Sequence, residues 1–371
     1  MRKLRLTAAL VASCLLLAIG PGRAAEQASA DDTAKFLAGM EPSAGSPLAP
    51  LTQERAWQQH AREMNRAFAA VEKSQLSRIR DWASDNLKSS QPAMFYMFSG
   101  PDFLYANAFF PNASTYVLSG LEPVGQIPDL MQLQRRRGVA PVLYHLQHSM
   151  KNLLSLTFFI TKTMRQDLEA GALRGTLPIL YVFLARAGKQ ISDVQLVNLD
   201  KQGKLGPEAD AKARSAAHGV KIVFTSAQGR AQTLYYFSTD LANGGVRKSG
   251  FLKFCGTLGY GDSFIKSASY LLHHNDFSRV REFLLDRSAL ILQDDSGIPL
   301  RYFDAKKWAL HPFGRYLGPI EVFPGYYQDK LRGLFRKGNP GKIKFGVGYR
   351  WRPGESNLLL AINGATMDMG P

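Results

Sequence analysis

The sequence predicts an α/β fold: a central, mostly parallel sheet flanked by helices, with an antiparallel C-terminal portion. Three observations carry that reading. Met94–Phe98 (MFYMF) is a short, uninterrupted apolar run, the pattern of a strand buried on both faces. A Ser-Gly-Pro-Asp turn, a brief helix from Phe103 to Phe110 and a second strand from Ser114 to Leu121 follow it, and such a strand–helix–strand unit joins parallel neighbours. Further on, Val220–Ser226 and Thr233–Ser238 flank Gln228-Gly229-Arg230, the arrangement of an antiparallel hairpin.

The N-terminus reads as a secretion signal over residues 1–25. Arg2, Lys3 and Arg5 form a positive segment, and Leu6–Ile19 is an apolar run too short to span a bilayer comfortably. Gly20-Pro21-Gly22 then breaks any helix, and the small residues Gly22 and Ala24 place cleavage after Ala24 or Ala25. The expected address is the periplasm or the exterior. Val11-Ala12-Ser13-Cys14 resembles a lipobox, so a lipid anchor on Cys14 is the lesser alternative. No later stretch has the apolar length of a membrane span.

The next residues, 26–50, are rich in Ala, Ser, Gly and Pro and read as a flexible segment, leaving 51–371 as one globular α/β domain with a smaller C-terminal lobe from about residue 220. At 45% hydrophobic residues the chain has ample material for a core. Without Cys14, Cys255 is the sole cysteine, so no internal disulfide is available and Cys255, set among apolar neighbours, reads as a core residue. Loss of Arg2, Lys3, Arg5 and Arg23 lowers the formal charge from +16 to +12. That excess favours an anionic partner, an envelope polymer or a lipid, while the scattered basic residues lack any nucleic-acid-binding signature.

Apolar residues at three- and four-residue spacing predict helix from Thr52 to about Leu87, as one piece or two. Pro141 to about Leu168 and Gly175–Ala187 predict two more helices, and Val194–Leu199 a strand. Asp200–Gly219 reads as a polar loop. Phe264–His273 and Ser278–Leu285 read as helical, Ser288–Leu292 as a strand, and Lys344–Tyr349 and Asn357–Ile362 as late strands.

The segment FSGPDFLYANAFFPNASTYVLSGLEPVG (98–125) resembles the nucleotide-binding start of Rossmann-like folds and the first motif of S-adenosylmethionine-dependent methyltransferases. The resemblance implies a Rossmann-like sheet and sets Glu122, about 20 residues after the turn, where such folds bind a ribose hydroxyl. The turn departs from the fingerprint: it has Gly100 alone, and Asp102 brings a carboxylate to the phosphate position. The metabolites concerned are also cytoplasmic, whereas the leader directs export. The unit is therefore read as topology, and no cofactor is assigned.

Asp102 and Glu122 still lie at strand ends, where open α/β sheets bind ligands. Asp294 and Asp295 follow the strand Ser288–Leu292 directly, and paired carboxylates there suit acid–base chemistry, although Asp-Ser-Gly is also ordinary turn chemistry. Asp102, Glu122, Asp294 and Asp295 are thus the candidate catalytic set. Arg301, Tyr302, His311 and Arg315 supply donors for an anionic or sugar ligand. His145 and His148 share a helix face, but without the HExxH pattern they read as packing or hydrogen-bonding residues, and no metal site is assigned. Two functions follow as expectations: an exported envelope protein that binds an anionic or carbohydrate component without catalysis, or an exported hydrolase using the strand-end carboxylates.

Overall fold

The computed structural model describes residues 27–88, 91–155, 173–208 and 217–364. The leader and the lipobox lie outside them. Ten strands form one mixed sheet in the order β4-β3-β5-β6-β2-β1-β7-β8-β10-β9. At its centre β6 (Ala231–Ser238), β2 (Thr115–Gly120), β1 (Ala93–Tyr96), β7 (Gly261–Ile265) and β8 (Ser288–Gln293) are all parallel. On one flank β5 (Ala217–Thr225), β3 (Gln190–Leu199) and β4 (Leu205–Pro207) run alternately antiparallel. On the other, β10 (Asn357–Asn363) lies antiparallel between β8 and β9 (Trp308–Gly314). The expectation of a mostly parallel sheet needs correcting: the parallel strands are a central block, and antiparallel pairs, present at both flanks, outnumber parallel ones. The hairpin Ala217–Ser238 extends this same sheet.

Strand burial explains the sequence pattern. Within β1, Met94 and Tyr96 enter one apolar core while Phe95 and, just beyond it, Met97 enter the other. Both faces are covered, so apolar residues run without alternation. The first face carries α1 (Ala30–Leu37), α2 (Arg55–Val71), α3 (Ser77–Asn86), α4 (Phe103–Phe109), α5 (Leu130–Arg137), α6 (Ala140–Ser155) and α7 (Leu177–Arg186). On the second lie α8 (Asn243–Ser249), α9 (Phe251–Thr257) and α10 (Ser278–Arg287), with Cys255 fully buried as expected.

Several elements differ from the sequence reading. Residues 27–50 are not a loose tether: Ser29 caps α1 by accepting from the Asp32 amide, and Phe36 and Leu37 are fully buried. Composition hid this because a single turn of anchoring apolar side chains suffices to dock a short helix. Helices α2 and α3 continue one another through a π-turn at Glu72–Leu76, so the expected long helix forms with a register shift. Phe264–His273 is not an α-helix, and of it only Leu271–His273 forms a short 3₁₀ turn. Phe264 and Ile265 end β7, and the chain then turns sharply at Ser267–Tyr270. Lys344–Tyr349 forms a single isolated bridge, Val347 to Arg350, while the helix α11 (Asp329–Lys337) and the strand β9 had no counterpart in the sequence reading. The expected helix beyond Ser155 lies outside the described residues.

Candidate functional site at the strand ends

The C-terminal ends of β1, β2, β6 and β7 open into a crevice of about 140 Å³, bordered by Phe98, Gly100, Glu122, Asp240, Ser267 and Ser269 among others. Its rim is strained. Among the described residues five that are not glycine have positive φ, and four of these follow β1 or β7: Phe98 (63°), Ser267 (52°), Ser269 (49°) and Tyr270 (55°). Each such residue costs about 1–3 kcal/mol and persists only where its surroundings over-determine it.

For the loop Ser267–Tyr270 the segment after β8 supplies that constraint. The Ser267 amide donates to Asp294 Oδ2 at 2.9 Å, and the Ala268 amide to Ser296 Oγ at 2.8 Å. Ser296 in turn donates its amide (3.0 Å) and its hydroxyl to Asp294 Oδ1. Tyr270 OH donates to Asp295 Oδ2 at 2.7 Å, and Asn357 Nδ2 from β10 donates to the other oxygen at 3.1 Å. Tyr349 OH donates to the Ser267 carbonyl at 3.0 Å, which leaves Ser269 Oγ, 2.8 Å away, as donor to the Tyr349 oxygen. Asp294 also lies hard against the backbone of Gly348. A Cβ there would stand 1.9 Å from Oδ2, at a φ of +70° that itself favours glycine.

Both aspartates are buried, and burial lifts both carboxyls above the usual range; the neighbouring Asp295 adds to the effect at Asp294. At Asp295 the Tyr270 and Asn357 donors pull the other way. The Asp-Asp-Ser sequence thus clamps the loop Ser267–Tyr270, with its oxygens engaged by protein donors.

A second buried pair lies alongside. Lys266, the residue before the strained loop, meets Asp102 Oδ2 at 2.7 Å, each side chain only 2% exposed. Asp102 caps α4 through the Tyr105 amide (3.3 Å) and accepts from Tyr96 OH (2.8 Å). The Lys266 ammonium stands 3.9 Å from the centre of the Tyr105 ring. Burial raises the Asp102 carboxyl, against which Lys266, Tyr96 and Tyr105 favour its charge.

Glu122, two residues past β2, is the one expected carboxylate that borders the crevice. Its Oε2 lies over Gly120, where a Cβ would come within 2.2 Å of it, and Tyr236 OH donates to its backbone oxygen at 2.9 Å and reaches Oε2 at 3.4 Å. Asp240, past β6, is a second crevice carboxylate; it accepts from the Ala242 amide at 2.9 Å. Ser267 Oγ is buried without a hydrogen-bond partner among the described residues.

The four expected carboxylates therefore share one edge of the sheet and all four are buried, and of the four Glu122 borders the crevice. The donor group does not gather there as a set. Arg301 reaches the His273 carbonyl at 3.3 Å and covers the Tyr302 ring, and Arg281 also packs on that ring, 3.9 Å from its centre. His311 is exposed on the edge strand β9, and Arg315 borders a different cleft beside α11. His145 and His148 are exposed on α6, and no group of three metal-ligating side chains occurs among the described residues.

Lys266, Ser267, Ser269 and Tyr270 escaped the sequence reading because Phe264–His273 was read as helix, and Tyr349 because Lys344–Tyr349 was read as a strand. The Ser-Ala-Ser cluster after Phe264-Ile265 was the available sign of a strand end.

No protein-family model, no curated protein and no solved structure matches this chain. Among the described residues no helix is long and apolar enough to cross a membrane.

Proposed function

We propose that this is an exported binding protein that holds the vicinal diol of a sugar ring in the strand-end crevice, with Glu122 as the hydroxyl acceptor. The observation that carries the reading is the concentration of strained backbone on this rim, held by a dedicated clamp. Strain maintained at such cost marks functional sites.

The topology supports the same place. Counted along the chain, the parallel strands β1, β2, β6, β7 and β8 stand in the order 3-2-1-4-5 of a Rossmann-like sheet. The order reverses between β1 and β7, and ligands of such sheets sit beyond the strand carboxyl ends at that reversal. An acid after the second strand accepts from sugar hydroxyls in these sheets, which is the position of Glu122. Asp240 and the unpartnered Ser267 hydroxyl offer further polar contacts. Binding is favoured over hydrolysis because Asp102 is neutralised by Lys266 and the oxygens of Asp294 and Asp295 are taken up by the clamp. The secretion-type leader is consistent with a carbohydrate of the envelope.

Calorimetric titration with mono- and disaccharides, and with adenosine as the ribose arm, tests this. Saturable sugar binding that weakens about 10- to 100-fold in Glu122→Gln is expected for a lost charge-assisted hydrogen bond. Preference for adenosine over every sugar would refute the carbohydrate class. Binding unaffected by Glu122→Gln, or no binding of either class, would refute the site.

A further inference from the structure

We infer that the lobe formed by the β9–α11 connection and α11 docks on an anionic phospholipid surface, with arginines at the phosphates and an apolar loop in the interface. Residues 315–352 contain nine Lys/Arg against two acids, Glu321 and Asp329. Arg315, Arg332 and Arg336 converge on a cleft of about 560 Å³ between the end of β9 and α11, together with Tyr316 and Tyr327 and with no carboxylate in its lining. None of the three arginines makes an ion pair among the described residues; Arg332 donates to Tyr327 OH at 2.9 Å. Such a cleft matches an anionic oxygen group.

The neighbouring loop decides which anion. Leu317 (40% exposed), Val322 (75%) and Tyr327 (41%) are three of the seven large hydrophobic residues exposed among the described residues, and all fall within one short stretch. Leu317 and Tyr327 border both the arginine cleft and an adjoining hollow, lined by Ile320, Val322 and Pro324 together with Glu321 and Arg350, so the two surfaces are continuous. The loop is also pre-shaped. Arg350 donates to the Gly318 and Pro319 carbonyls (2.9 and 3.0 Å), Tyr326 stacks on Tyr270 at 4.8 Å, and Phe323 packs on Tyr349. A soluble anion needs only the arginines. Apolar side chains held outward beside them fit the boundary between headgroups and acyl chains.

Vesicle sedimentation of the full chain, with phosphatidylglycerol mixed into phosphatidylcholine or with phosphatidylcholine alone, tests the inference. Binding is expected only with the anionic lipid, falling as salt rises. Neutralising Arg315 and Arg336 together (to Gln) should weaken partitioning about 25-fold, at about fivefold per charge. Val322→Ser, at an exposed site with unchanged charge, should weaken it by about tenfold. Thermal melting of each variant verifies its fold. Equal binding to both vesicle types, or full binding by Val322→Ser, would overturn the inference. So would tight capture of glycerol 3-phosphate or dextran sulfate that Val322→Ser leaves unchanged, which would assign the cleft to a soluble phosphate or a polysaccharide. Neither outcome bears on the Glu122 crevice, whose titration is separate.

Discussion

Replacing Asp294 distinguishes a clamp from a catalytic acid. In Asp294→Ala three accepted hydrogen bonds disappear, those from the Ser267 amide, the Ser296 amide and the Ser296 hydroxyl. Two backbone donors are left in a buried setting at about 1–3 kcal/mol each. Removing a buried carboxyl and relaxing the strained loop return part of that, so the net loss of stability should be about 2–4 kcal/mol. Asp294→Asn behaves differently. Its single oxygen is best placed toward the two Ser296 donors, which turns the amide group against the Ser267 N–H. The Asp-Ser turn then survives while the loop is released, so stability should fall by only about 1–2 kcal/mol. Sugar affinity should nonetheless drop as far as in the alanine variant. Urea denaturation followed by tryptophan fluorescence gives the stabilities, near-ultraviolet dichroism reports the setting of Tyr270 and Tyr349, and calorimetry gives the affinity. Alanine and wild-type proteins of equal stability, within about 0.5 kcal/mol, would refute the reasoning. An asparagine variant that binds sugar normally would do the same for the link between clamp and crevice.

Other expectations follow from the same geometry. Lys266→Met strands the Asp102 carboxylate in the interior and should cost about 3–5 kcal/mol, whereas Lys266→Met combined with Asp102→Asn should recover more than half of it in a double-mutant cycle. Burial pushes the Asp262 carboxyl up to about 7, with only the Gln91 amide (2.9 Å) favouring its charge. The folded state therefore holds this proton more tightly than the unfolded chain, and the associated stability, complete near pH 4, is lost as pH rises through about 7. Asp262→Asn should remove that slope, gaining up to about 3–4 kcal/mol over wild type above pH 7 in denaturation series, and parallel pH profiles would refute it. Gly120→Val should displace the Glu122 carboxylate and abolish sugar binding, read by calorimetry. N-terminal sequencing of protein recovered from a secreting host should begin at Ala25 or Glu26; an intact Met1, or a blocked Cys14, would refute the cleavage reading.

What was legible in the sequence was whatever is written locally. The run Met94–Phe98, the turn at Gly100-Pro101 and the carboxylate Glu122 announce the β1–α4–β2 unit because apolar continuity and turn chemistry act over a few residues. The same logic failed at Phe264–His273, where apolar residues at helical spacing belong partly to a strand and partly to a strained turn. Contacts from distant segments, Asp294, Asp295, Ser296 and Tyr349, hold that turn, and no local pattern encodes them. Asp294 and Asp295 were found by type and by their place after a strand, but their engagement by protein donors depends on partners up to 62 residues away. The antiparallel flanks were underestimated for a similar reason: β9 carries Pro312 and His311 in place of a clean apolar alternation, and its pairing is defined by β10.

The position of β10 has a consequence for the order of assembly. This strand, near the end of the sequence, lies between β8 and β9, so β9 has no sheet neighbour until Asn357–Asn363 has been synthesised. Until then β8, whose six residues are all buried in the finished fold, is left with an open apolar edge. The same late strand delivers Asn357 to Asp295, and with it the last tie on the crevice loop. A nascent chain therefore cannot close this sheet before Asn357–Asn363 is available. That delay makes the arrival of β10 the step at which chains either fold or aggregate.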